Sequence, residues 1–143
     1  MTEQIQQRIA VRAVIIKDRK VLVIRESGTY EEGTNVGKYD LPGGRVSAGE
    51  RFDEALRREV FEEVGLEIIT FKPFFVGEWR PVVKDTPLQI IGIFFVCTTN
   101  NADVVLGTDH DEFLWVGRED VVSIPLMSPV PEALQILVSE GLM

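Results

Sequence analysis

Residues 51–64, RFDEALRREVFEEV, run without glycine or proline and are rich in Glu, Arg, Ala and Leu. Such a stretch is a helix by propensity, and Gly65, next in the chain, is placed to end it as a C-cap. At about 100° per residue, Phe52, Ala55, Leu56, Val60 and Val64 share one broad apolar side. Glu59 projects between Ala55 and Phe52, Glu63 between Phe52 and Leu56, and Glu62 just beyond Ala55. An acidic helix ordinarily turns its charges to water. Here the phase sets at least two carboxylates with the side that must be buried. Like charges on adjacent turns repel by roughly 1–4 kcal/mol per pair, depending on the local dielectric, so the helix needs a neutralising partner. Hard oxygen ligands in a small volume suit Mg²⁺ or Mn²⁺, with water and substrate phosphates completing the shell. Arg58 could orient these carboxylates through charge-assisted hydrogen bonds.

The rest of the chain must supply a core for that helix. With 143 residues, 45% hydrophobic and 27% charged, one domain over residues 1–143 is expected. The net charge of −8 argues against electrostatic binding along a nucleic-acid polymer. Cys97 is the only cysteine and His110 the only histidine, which excludes a disulfide framework within the chain, a Cys-rich zinc site and any multi-histidine metal site. The opening residues, MTEQIQQRIA, lack the basic-then-apolar pattern of a signal peptide. The longest nearly pure apolar run, residues 90–97, is far too short to cross a bilayer. No membrane partner and a cytoplasmic location are therefore the default expectations.

Residues 8–16 and 21–24 are β-branched and apolar, and Asp18-Arg19-Lys20 between them reads as a hairpin turn. The polar run 26–37, with three glycines, reads as a surface loop. Residues 39–41 form a short strand, ended by a tight turn at Pro42-Gly43-Gly44. Further strands are expected at 67–76 and 88–99, parted by a turn-prone region with Pro81 and Pro87. Asn100-Asn101 suggests a second hairpin leading into a strand at 104–106, with another strand at 113–116 and a closing helix at 131–139. Strands with intervening helices give an α/β (α+β) class. The glycine turn could place a carbonyl on a metal or amides near a phosphate.

The residues from Gly44 onward match GX5EX7REUXEEXGU, U being a bulky aliphatic: Gly44, Glu50, Arg58, Glu59, Val60, Glu62, Glu63, Gly65 and Leu66. Seven fixed letters agree, a coincidence on the order of 10⁻⁹ per starting position at average residue usage. The stretch thus resembles the Nudix box. Leu41-Pro42-Gly43 before it, and residues 109–116 (DHDEFLWV), resembling the later Glu-His-x-x-Tyr-x-Trp segment of many members, extend the likeness. The resemblance implies an α/β/α sandwich with a mixed β-sheet and a catalytic loop-helix-loop. It implies a Mg²⁺- or Mn²⁺-dependent hydrolase of a nucleoside diphosphate linked to another moiety, most simply a nucleoside triphosphate pyrophosphohydrolase. By likeness, Glu59 and Glu63 are the principal metal ligands, with the Gly43 carbonyl as a further one. Glu62 binds a second metal or takes the proton from the attacking water. Glu50 has a supporting role, by hydrogen bonding to the helix carboxylates or to metal-bound water, and Arg58 orients the glutamates. Asp109 falls where the family often adds a distal acidic ligand, usually Glu, with Asp111 and Glu112 as competitors; Arg25 falls where some members contact phosphate.

Trp79 and Trp115 could stack on a base, although the apolar neighbours of Trp115 favour the core; Tyr30 could line a pocket, and Cys97 reads as buried. Pro81, fifteen residues beyond Leu66, has a spacing associated with ADP-ribose-hydrolysing members. ADP-ribose or nucleotide-sugar pyrophosphatase is thus an alternative, as is a nucleotide-sensing binding module. A diphosphate isomerase of the same fold would need a catalytic cysteine. The expected partner is a small nucleotide, with a homodimer as a further possibility.

Overall fold

A computed structural model describes residues 4–28 and 36–143. Tyr30 and the middle of the expected loop at 26–37 lie outside the described residues. The elements in chain order are β1 (Gln6–Lys17), β2 (Lys20–Glu26), β3 (Tyr39–Asp40), β4 (Gly43–Arg45), α1 (Phe52–Val64), β5 (Ile68–Trp79), β6 (Val82–Val83), β7 (Thr86–Thr99), β8 (His110–Val116) and α2 (Val130–Ser139). They form a mixed sheet in the order β3-β2-β1-β7-β5, with β4 paired to β1, β6 to β7 and β8 to β2. β1 and β7 are parallel, while every other pairing is antiparallel.

The central strands are apolar on both faces, because both faces are covered. From β1, Val11, Ala13 and Ile15 join Leu22, Ile24, Phe95 and Cys97 against Ala55, Leu56, Val60 and Val64 of α1. The alternate residues Val14, Val21, Val23 and Phe94 pack against Val130, Ala133, Leu134 and Leu137 of α2. The two helices therefore sandwich the sheet, as the box resemblance implied. The hairpin joining β1 and β2 turns at Asp18 and Arg19, whose φ values of 52° and 64° are those of a two-residue primed turn. Cys97 is buried, as its setting suggested. Trp115 is half-buried and packs against the α1-side core. Among the described residues, no helix is long and apolar enough to cross a membrane.

Three expectations are corrected. Gly43 and Gly44 do not form a free turn; they open β4, opposite Arg12 and Val11 of β1. The proline-containing region contains a strand, β6, which pairs with β7 around a second primed turn at Lys84 and Asp85. Asn100-Asn101 does not begin a hairpin, and residues 104–106 are not a strand. Instead the Asn100 side chain accepts hydrogen bonds from the Glu67 and Asn101 amides, and the chain turns towards the end of α1. There the Val105 amide donates to the Val64 carbonyl (2.9 Å) and the Gly107 amide to the Glu63 carbonyl (3.1 Å). Helix-end carbonyls need partners from outside the helix, and this segment satisfies them while Val104 and Leu106 pack on the core.

The α2 face makes a direct stability test. Leu134 is fully buried, whereas Val122 is 95% exposed. Leu134→Ala is expected to cost about 2–5 kcal/mol and Val122→Ser within about 0.5 kcal/mol, read from urea unfolding midpoints.

Candidate active site

The box carboxylates reach their positions because the C-terminal half of α1 is held by its cap and by β4. Gly65 caps the helix in a left-handed conformation (φ 69°), its amide donating to the Phe61 carbonyl. Midway along the helix, β4 passes so close that a Cβ at Gly44 would lie 2.5–2.7 Å from the Glu59 carboxylate. That close approach explains the glycine at the first position of the box. The Gly43 amide, in the same strand, donates to Glu63 Oε1 at 2.8 Å.

Burial divides the three helix glutamates. The side chains of Glu59 and Glu63 are 18% and 15% exposed, that of Glu62 57%. Burial raises the Glu63 carboxyl to about 8, against the opposing pull of the Gly43 amide and of Arg12. Burial also raises Glu59, opposed by its hydrogen bond from Arg58. Arg58 donates from Nε and Nη2 to the two oxygens of Glu50 (2.9 and 3.0 Å) and from Nη1 to Glu59 (2.9 Å). It also reaches Glu62 at 3.4 Å and the Arg45 carbonyl at 3.3 Å. This fork lowers the Glu50 pKa, and Glu50 in turn accepts from the Ser47 amide. His110 lies 3.5 Å from Glu63, and burial lowers its pKa against the pull of Asp40 and Asp109.

These groups border a cavity of about 580 Å³. Gly43, Glu59, Glu62, Glu63, Arg58 and Asp109 all line it. Glu50 stands behind Arg58, outside the lining. Of the three acidic residues considered for the distal position, Asp109 is at the cavity. Asp111 and Glu112 bind Arg25 instead, at 2.7 and 2.8 Å. Arg25 is therefore not brought to the cavity: the β2–β8 register sets it opposite Glu112, and the two carboxylates engage its guanidinium. Trp79, Pro81, Leu88 and Ile90 line an apolar part of the cavity. Sequence reasoning passed over Arg12 and Asp40, which line it too. The available signal was Arg12 itself, a lone charge within the apolar run Ala10–Ile15, where a charged side chain must find a partner.

Among the described residues, no three Asp, Glu, His or Cys side chains close into a metal cage. The donor set nevertheless fits a hard divalent cation. Two neighbouring half-buried carboxylates are pushed towards neutrality by their surroundings, and the adjoining cavity has room for water and substrate oxygens, the usual remainder of such a shell.

The raised Glu63 pKa has a signed consequence. A carboxyl that titrates near 8 when folded and near 4.5 when unfolded binds more protons in the native state between those values. Its contribution to stability is therefore present in full below about 4.5 and is lost as pH rises towards about 8. In chelator, urea unfolding free energies are expected to fall across that window, and Glu63→Gln is expected to flatten the fall. A wild-type slope unchanged by Glu63→Gln contradicts this.

Known proteins resemble this chain over most of its length. The family model of the NUDIX domain matches residues 6–135. The nucleoside triphosphatase NudI of Escherichia coli O81 (strain ED1a) is 30% identical over 128 residues, covering 85% of this chain and 89% of its own. NudI of Klebsiella pneumoniae (strain 342) is 29% identical over the same shares. Among solved structures, a MutT protein from Methanosarcina mazei Go1 has a TM-score of 0.78 at 29% identity, covering 98% of this chain and 99% of its own. A MutT NUDIX hydrolase from Burkholderia pseudomallei, at 21% identity and a TM-score of 0.73, covers 91% of this chain and 97% of its own and shares the fold. An unbroken box on a helix edge beside a cavity, inside this sandwich and with these relatives, means that the chain belongs to the Nudix family of hydrolases.

Proposed function

We propose that the protein is a Mg²⁺- or Mn²⁺-dependent pyrophosphohydrolase whose substrate is a nucleoside triphosphate, released as nucleoside monophosphate and pyrophosphate. The observation that carries this reading is the pair of half-buried carboxylates, Glu59 and Glu63, on the cavity wall. Nudix hydrolases generally use divalent metals. The triphosphate assignment is supported by the NudI relatives, which are named nucleoside triphosphatases, and by an apolar wall suited to a base opposite an acidic one.

In this reading Glu59, Glu63 and the Gly43 carbonyl hold the cation, and Asp109 contributes from the facing segment. When bound, the cation neutralises charge on the phosphate oxygens and acidifies the attacking water. Glu62, more exposed than Glu59 and Glu63, takes the proton from that water. Arg58 and Glu50 fix the glutamates in place, since every donor group of the Arg58 guanidinium already engages the protein. Trp79 and its apolar neighbours take the base.

The test is pyrophosphate release from nucleoside triphosphates, with ADP-ribose and nucleotide sugars in the same panel, with and without each metal. Turnover of triphosphates is expected only with metal. Glu62→Gln is expected to lower kcat by about 100-fold or more, with folding unchanged by circular dichroism. Preferred cleavage of ADP-ribose moves the substrate assignment. Inactivity over the whole panel, with tight nucleotide binding, turns the protein into a sensing module.

A further inference from the structure

Arg12 lies outside the box, and its charge acts on the box carboxylates Glu59 and Glu63. It sits mid-strand in β1, its side chain only 14% exposed, and lines the cavity that holds Glu59 and Glu63. Its guanidinium lies over the Trp79 ring, 5.3 Å from the centroid, and one nitrogen is 3.5 Å from Asp40. A guanidinium carries five N–H donors, and a single ion pair at 3.5 Å leaves most of them without an acceptor among the described residues. None of these atoms is sealed from solvent without a partner, so the spare donors open onto the cavity.

The other candidate arginines are differently placed. Arg58 is occupied by Glu50, Glu59 and the Arg45 carbonyl. Arg25 is occupied by Asp111 and Glu112. Arg8 and Arg45 border the cavity, but neither is braced by an aromatic ring and a carboxylate, and Arg45 is exposed. Arg12 is thus pre-positioned, with donors to offer, in the cavity that also holds the box carboxylates. An aromatic ring under the guanidinium fixes its plane while leaving its edge free, the arrangement that suits a phosphate.

Resting on the reading of the site as a nucleotide hydrolase, we infer that Arg12 is the arginine that binds the diphosphate of the substrate, with Trp79 and Asp40 as the residues that position it. The cation and Arg12 then both meet the phosphates within the one cavity.

The experiment measures binding of inorganic pyrophosphate with Mg²⁺ by calorimetry, beside steady-state kinetics on the best triphosphate. Arg12→Gln is expected to weaken pyrophosphate binding by about 10–100-fold and to raise KM by a similar factor, with a much smaller change in kcat. Arg12→Lys, which keeps the charge and loses the fork, is expected to recover part of the affinity. Trp79→Leu, which leaves Arg12 in place without its platform, is expected to lose about 3–10-fold. Arg118→Gln, an exposed change of the same net charge, is expected to leave both readouts unchanged. Stabilisation by Mg²⁺ alone is expected to persist in Arg12→Gln, separating phosphate binding from the metal site. Should Arg12→Gln fail to fold, Arg12→Lys and Trp79→Leu carry the comparison. Pyrophosphate affinity unaltered by the Arg12 changes, or absent from the wild-type protein, overturns the inference. A wild-type protein that turns over nothing, yet loses pyrophosphate binding in Arg12→Gln, overturns the hydrolase reading and leaves Arg12 standing.

Discussion

Two carboxylates on the packed side of a helix set the terms for this structure. Moving an ionised carboxylate away from water is costly, and a second one on the adjacent turn adds repulsion. The fold offsets that cost with near neighbours: the Gly43 amide at Glu63 and the Arg58 fork at Glu59. These leave Glu63 raised towards neutrality. What remains unsatisfied is negative charge facing a cavity, a state that a divalent cation relieves.

The surrounding architecture serves this one helix. The parallel β1–β7 pair forms the floor beneath α1, and β4 hangs from β1 so that its glycines touch the carboxylates. The segment after β7 returns to close the C-terminal carbonyls of α1 and then delivers Asp109 and His110 to the cavity. Helix α2 covers the opposite face of the sheet and contributes to the core without lining the cavity. The acidic wall thus comes from one helix and its flanking loops, whereas the apolar wall and Arg12 come from the sheet.

How much of this could be read from the residues follows from whether the determinant was local. The phase of α1 and the burial of Glu59 and Glu63 are properties of a 3.6-residue period, and the box spacing adds the glycine contact, so that part of the site was legible. The roles of Arg12 and Arg25 were not, because each depends on partners far away in the chain. Register brings Glu112 opposite Arg25, and topology brings Trp79 under Arg12. The supposed strand at 104–106 has strand-like composition, but the end of α1 offered carbonyls and a core surface, and the segment was drawn there instead. Strand β6 escaped notice because a two-residue strand carries no periodicity.

The central claim is that the half-buried glutamates of α1 form a divalent cation site in the nucleotide-free protein. Electron paramagnetic resonance titration with Mn²⁺ tests it most directly, since free and bound ions give distinct signals. Saturable binding to the wild-type protein, abolished or weakened at least about tenfold in Glu59→Gln and in Glu63→Gln, is the predicted result. Binding that these two substitutions leave untouched, or no binding at millimolar Mn²⁺ by the folded wild-type protein, contradicts the account.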